Sequence, residues 1–104
     1  MTQTPSTGLV ARMEAAVIAL EQEQWSEGLS LLIDLVQQAH VEGDHRVEAL
    51  SRGMMSQALL QTGQVNEAID QVGQALAVAE LSNDRDTIHR CMALKHSVEM
   101  LAEG

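Results

Sequence analysis

The chain carries two versions of one helical pattern at a constant spacing of 40 residues, and this spacing constrains the fold more than any other feature. Residues 25–29, Trp-Ser-Glu-Gly-Leu, align with residues 65–69, Val-Asn-Glu-Ala-Ile. The same offset places Ala19-Leu20 on Leu59-Leu60. A fixed offset is the mark of stacked supersecondary units, each of which covers an apolar flank of its neighbour. The sequence therefore predicts an array of one repeated unit.

Composition and periodicity make that unit helical. Good helix formers dominate, and the single proline, Pro5, comes before the first periodic segment. Apolar residues at helical spacing predict five helices. Their expected extents are about 9–22, about 26–41, from an N-cap at Asp44 to about Thr62, from an N-cap at Asn66 to about Leu81, and about 84–102. Gly63 is expected to end the third helix in a left-handed conformation.

The segment 63–76 resembles the second helix of a tetratricopeptide repeat, because a turn glycine precedes Glu-Ala-Ile and then Ala-Leu. That family places a small residue where two helices cross closely, a role that Gly28 and Ala68 would fill. The matching structural positions are Trp25, Gly28, Leu29, Gly63, Ala68, Ile69 and Ala75. The family's usual period is about 34 residues, so 40 corresponds to a longer-helix variant.

The resemblance implies an all-α, right-handed α-solenoid fragment of two helical hairpins and a C-terminal capping helix. Repeat one would cover about 9–42, repeat two about 43–82 and the capping helix about 84–103. Together they would form one domain over residues 9–104, after a disordered leader of residues 1–8.

In such arrays the first helix of each pair lines a concave groove that binds a partner. The groove residues implied here are Val10, Met13, Val17, Leu20, Glu21, Leu50, Gly53, Gln57, Leu60 and Gln61, and the fifth helix would add Leu94, Val98 and Leu101. An apolar groove suits the nonpolar face of an amphipathic helix, and Met13, with Met54 and Met55 nearby, would give it an adaptable lining. Packing of these residues by neighbouring helices, or by the fifth helix folding across the groove, stays open as the alternative.

The function implied by the resemblance is that of an adaptor, which binds a peptide or amphipathic helix of another protein. One alternative is a homodimerisation domain, because the second helix is apolar around much of its circumference, at Leu31, Leu32, Ile33, Leu35 and Val36. Another is a small chaperone of the secretion type that holds an unfolded or amphipathic client.

Charge and hydropathy narrow the partners. Fifteen acidic and six basic residues give a formal charge of −9 at pH 7, which disfavours binding to nucleic acid or to an anionic membrane. Before Asp44 the only Lys or Arg is Arg12, so a basic partner would favour the first two-thirds of the chain. Without a membrane-spanning stretch or a secretory signal, the chain is expected to be cytoplasmic.

No residue pattern predicts chemistry. Phosphate-binding loops and nucleophile motifs are absent from the sequence, so no enzymatic activity and no cofactor are predicted. His89 and His96 are too far apart on one helix to share a metal ion, so no metal site is predicted. The single Cys91 lies in a helical apolar pattern and is expected to be a buried, small hydrophobic residue.

Overall fold

Helices account for nearly all of the chain that the structure describes. The computed structural model describes residues 5–103. Its helices in chain order are α1 Pro5–Glu21, α2 Trp25–Glu42, α3 His45–Gln61, α4 Val65–Ser82 and α5 Arg85–Glu103. Between residues 5 and 103 there is no strand, which confirms the all-α prediction and the expected number of helices.

Helix α1 starts earlier than the sequence predicts. It begins at Pro5, whereas the leader was expected to extend to Gly8. Proline is favoured in the first turn of a helix, because its missing N–H would have no intrahelical partner and its φ is already helical. The first helix, expected to begin at about residue 9, therefore begins four residues earlier. The rest of that leader, residues 1–4, lies outside the described residues.

Left-handed residues and one aspartate cap delimit the inner helices. Gly63 has a φ of 82°, as the sequence predicts, and Asn83 has a φ of 57°. Asp44 caps α3, since the backbone N–H of Val47 donates a 3.1 Å hydrogen bond to its Oδ1. Asn66, in contrast, is not the N-cap of α4. That helix already begins one residue before it, so Asn66 lies inside the first turn.

Helix α3 lies at the centre of the molecule. Each helix packs against the next, and α3 additionally contacts both α1 and α5. Loops of two or three residues join the helices, so consecutive helices run antiparallel, and α1, α3 and α5 share one direction. Within residues 5–103, α1 and α5 do not touch each other. They flank α3 on opposite sides.

Three apolar clusters surround α3. Helices α1, α2 and α3 bury the first, whose members are Leu9, Ala16, Leu32, Leu35, Val36, Ala39, Val47 and Met55. Helices α3, α4 and α5 bury the second, which consists of Leu59, Ala68, Val72 and Val98. The same three helices bury a third cluster of small residues, namely Ala49, Ala75, Ala79 and Cys91.

Small residues lie between the paired helices, as the sequence predicts. Gly28 is buried, and a Cβ added there would lie only 2.5 Å from Leu20 Cδ2, so a larger residue would require Leu20 to move. Ala68 is fully buried between α3 and α4. Ile69 is a correction, because it was expected between helices and is 39% exposed. Helix α4 buries positions 68, 72, 75 and 79, and Ile69 lies beside that stripe.

The remaining predicted structural positions are inward-facing to different degrees. Ala75 is fully buried, whereas Trp25 and Leu29 are half-buried. Trp25 is the first residue of α2, so the turn after α1 is formed by residues 22–24. Leu29 contacts both the first and the second apolar clusters. It therefore links the two halves of the core.

Candidate functional site

Two adjoining cavities lie on the side of the molecule that α1, α3 and α5 form. The first cavity, of about 420 Å³, is lined by Met13, Val17, Leu50, Met54, Arg90, Ala93 and Leu94. The second cavity, of about 350 Å³, is lined by Val17, Leu20, Glu21, Trp25, Met54, Gln57, Ala58 and Gln61. Val17 and Met54 belong to both linings, so the cavities are neighbours along α3. We call the two cavities together the groove.

The groove is apolar along its length and charged only at its ends. Arg90 is the one charged residue in the lining of the first cavity, and Glu21 is the one charged residue in that of the second. Gln57 and Gln61 add amides beside Glu21. Glu21 and Gln61 are the last residues of α1 and α3, so the second cavity borders the C-terminal ends of both helices.

Helix α5 forms one wall of the groove without filling it. Its Leu94 covers Gly53 of α3, where an added Cβ would lie 2.7 Å from Leu94 Cδ1. It does not reach α1, so the space between α1 and α5 over Met54 stays open in the described part of the chain. The alternative in which α5 folds across the groove and fills it is therefore not observed in the described part of the chain.

Seven of the ten predicted groove residues line the cavities. They are Met13, Val17, Leu20, Glu21, Leu50, Gln57 and Gln61. Their part in binding stays a prediction, because no partner is bound. Leu94 of α5 lines the first cavity as predicted.

The other predicted groove positions lie elsewhere. Gly53 is buried beneath α5, and Leu60 packs against the cluster around Leu59. Val10, on α1, is 48% exposed. On α5, Val98 is 1% exposed within the core, and Leu101 is 68% exposed near the helix end. None of these five residues is among those that line the two cavities.

Sequence reasoning missed several lining residues, of which Arg90 and Ala93 are the most informative. The 40-residue offset carries Leu50 onto Arg90 and Gly53 onto Ala93. Extending the offset into the fifth helix would have found both. Trp25 and Ala58 were missed as lining residues, and Met54 was placed only near the groove, although it lies at its centre.

A polar network lies outside the groove, between α2, α3 and α4. Glu48 is 3% exposed, and its Oε2 accepts a 3.1 Å hydrogen bond from Arg52 Nε. Arg52 Nη1 donates a 3.0 Å hydrogen bond to Gln71 Oε1. His40 Nδ1 lies 3.3 Å from Glu48 Oε1. The network joins three helices, and nothing in the apolar pattern predicted it.

A second polar arrangement ties the start of α5 to α3. Thr87 Oγ1 donates a 3.0 Å hydrogen bond to Asp84 Oδ2, and Arg46 Nε lies 3.0 Å from the same oxygen. The Thr87 hydroxyl, and after it the Asp86 backbone N–H and the Arg46 charge, lower the pKa of Asp84 from its usual value. Asp84 thus stays ionised at neutral pH, where its charge caps α5.

The one cysteine is packed rather than reactive. Cys91 is fully buried in the cluster of small residues, and its Sγ lies 3.9 Å from the backbone oxygen of Ala49. Burial raises the pKa of its thiol, which disfavours the nucleophilic thiolate. The prediction of a buried, small hydrophobic residue is confirmed.

Two further observations concern the described residues. No three His, Cys, Asp or Glu side chains between residues 5 and 103 lie close enough together to hold a metal ion. None of the five helices is long and apolar enough to cross a membrane.

Comparison of the chain with protein-family models, with curated proteins and with solved structures gives no match.

Proposed function

We propose that the chain is a tetratricopeptide-like module that binds an amphipathic helix of a partner protein in the groove. The observation that carries the proposal is an apolar, open surface at the centre of the fold. Met13, Val17 and Met54 are half-buried there, and α1 and α5 leave the space above Met54 uncovered.

The spacing of the helices supports a repeat. Helices α1, α3 and α5 begin at residues 5, 45 and 85, and α2 and α4 begin at residues 25 and 65. The same 40-residue offset relates buried side chains of α3 to buried side chains of α5, which are Val47 with Thr87, Ser51 with Cys91, and Ala58 with Val98. Equivalent helices thus use equivalent faces, as stacked units require.

The outer face of α5 supports its assignment as a terminal cap. In α3, Ser56 and Leu59 are buried by neighbouring helices. Their counterparts at the 40-residue offset are His96 and Glu99, and both are exposed. A terminal unit needs a polar outer face because no further unit covers it.

The chemistry of the groove favours an amphipathic helix as the occupant. Such a helix presents apolar side chains at i, i+3, i+4 and i+7 along one face and polar ones along the other. Methionine adapts its shape to different apolar partners, and Met13 and Met54 supply this property on two walls. The formal charge of −9 also favours a basic partner by long-range attraction.

Self-association through α2 has less support than groove binding. Leu32, Leu35 and Val36 are buried by neighbouring helices of the same chain. Of the five apolar residues that suggested self-association, Ile33, which is 45% exposed, and the half-buried Leu31 stay accessible. Val41, near the end of α2, is a further accessible apolar residue and is 81% exposed. A small chaperone, in contrast, would use the same groove to hold an amphipathic segment of its client. That alternative changes the class of partner and not the site.

Met54→Gln is expected to weaken binding of an amphipathic helical peptide by about tenfold or more. Met54 lines both cavities, and burying a methionine side chain contributes about 1.5–3 kcal/mol, where 1.4 kcal/mol corresponds to tenfold in Kd. Glutamine keeps the length and helix propensity of methionine, so the fold should be retained. Fluorescence anisotropy with a labelled, leucine-containing amphipathic peptide measures the change.

The matched control is Met92→Gln, which makes the same change at a 52% exposed position of α5 outside the groove. It should bind the peptide as the unaltered protein does. If the Met54→Gln and Met92→Gln variants bound the peptide with equal affinity, the groove would not be the binding site.

A further inference from the structure

The two cavities differ in charge, and this difference assigns a direction to the occupant. The inference rests on the proposed function, since it concerns the helix bound in the same groove. Three features of the groove bear on this direction. They are the separation of the cavities along α3, the charge at each end of the groove, and the direction that α1, α3 and α5 share.

The separation of the cavities sets the spacing of the apolar anchors. On α3 the first cavity is lined by residues 50 and 54, and the second by residues 54, 57, 58 and 61. The centres of these two sets are about five residues apart, or about 8 Å along the axis at the helical rise of about 1.5 Å per residue. Side chains at i and i+4 of a bound helix are about 6 Å apart, and those at i and i+7 about 10 Å. The separation of about 8 Å lies midway between these two spacings, so one anchor in each cavity fits positions one or two turns apart.

The charges at the two ends are opposite. The first cavity presents the exposed Arg90. The second presents the exposed Glu21, and Glu23 follows in the turn after α1. The C-terminal ends of α1 and α3 border the second cavity, and the negative ends of their helix dipoles add partial negative charge there. The second cavity therefore favours a positive group and the first a negative one.

We infer that the bound helix lies antiparallel to α3, with its N-terminal end and basic residues at the second cavity and its C-terminal end and acidic residues at the first. A partner segment of this kind carries Lys or Arg before two apolar anchors one or two turns apart, and Asp or Glu after them. The positive end of its own helix dipole then faces Glu21, and its negative end faces Arg90.

Two designed peptides test this direction. Both are helical, capped at their termini, labelled with fluorescein and built on alanine and glutamine, with leucines at positions i, i+4 and i+7 of one face. The direct probe has lysines in its first turn and glutamates in its last, and the reversed probe exchanges these charges. The reversed probe forms the more stable isolated helix, because its terminal charges complement its own helix dipole. The informative quantity is therefore the ratio of the two Kd values, compared between the unaltered protein and a charge-exchanged variant. The second protein carries Glu21→Lys and Arg90→Glu, both at exposed positions.

We expect the charge exchange in the protein to change the ratio of Kd values about tenfold in favour of the reversed probe. In the exchanged protein the ends of the reversed probe meet opposite charges, and the ends of the direct probe meet like charges. Arg90→Glu alone should move the ratio in the same direction by a smaller factor. A third peptide, of the same composition but with its three leucines distributed over different faces of the helix, should bind more weakly than both probes.

The outcomes separate this inference from the proposed function. If both probes bind the unaltered protein and neither variant moves the ratio, the direction is wrong and the groove remains the binding site. If neither probe binds the unaltered protein, both the direction and the proposed function are overturned. Circular dichroism of the variants before the titrations establishes that the exposed substitutions leave the helices intact.

Discussion

Leu59→Glu is expected to leave the protein predominantly unfolded at neutral pH. Leu59 is 5% exposed and packs with Ala68, Val72 and Val98 where α3, α4 and α5 meet. Truncating a buried leucine costs about 2–5 kcal/mol, and burying a carboxylate without a partner costs several kcal/mol more. The total is comparable with the whole free energy of unfolding of a domain of this size, about 5–15 kcal/mol.

Gln57→Glu is the control, because it introduces the same carboxylate into the same helix at an exposed position. Its expected effect on stability is within about 0.5 kcal/mol. Thermal unfolding followed by far-UV circular dichroism compares the two variants. A cooperative transition for the Leu59→Glu variant within a few degrees of the unaltered protein would contradict the packing of α3 against α4 and α5.

Glu48→Ala is expected to destabilise the protein by about 2–4 kcal/mol. The change removes the carboxylate that accepts a hydrogen bond from Arg52, whose side chain is only 19% exposed. Breaking a buried pair leaves the remaining charge without its partner, which costs about 3–5 kcal/mol when both groups are fully buried. The partial exposure of Arg52 reduces this cost. Denaturation in urea measures the difference.

A double-mutant cycle isolates the pair. Arg52→Ala alone should also destabilise the protein, since it leaves the buried Glu48 carboxylate without the guanidinium. The double variant Glu48→Ala and Arg52→Ala should lose less stability than the two single losses added together, because no unpaired charge remains. Additive losses would mean that the two side chains do not interact in solution.

The fold was predictable where local sequence chemistry decides it. Asp44 and Gly63 mark helix ends because a carboxylate caps α3 and a glycine adopts positive φ after it. Apolar residues at helical spacing predicted the order and number of helices, and equivalent helices begin at positions related by the 40-residue offset. Burial of Gly28 followed from its alignment with Ala68, because both lie where paired helices approach closely.

The groove was predictable only in part, because its lining depends on how helices from different units are placed. Leu60 follows the apolar pattern of α3, but the presence of α4 and α5 on that side places it against the core. The offset alone could have identified Arg90 as the counterpart of Leu50. No local pattern could have predicted the contact of Arg52 with Gln71, because that hydrogen bond depends on the distance between α3 and α4.

The location of binding is tested most directly by NMR of methionine methyl groups. Met13 and Met54 line the groove, whereas Met92 and Met100 are 52% and 58% exposed on α5 outside it. With the methionine methyl groups labelled with carbon-13, the direct probe peptide is titrated into the protein. The account predicts that the Met13 and Met54 signals shift together along the titration, while those of Met92 and Met100 stay in place. Shifts confined to Met92 and Met100 would contradict it and would place the interface on the outer face of α5.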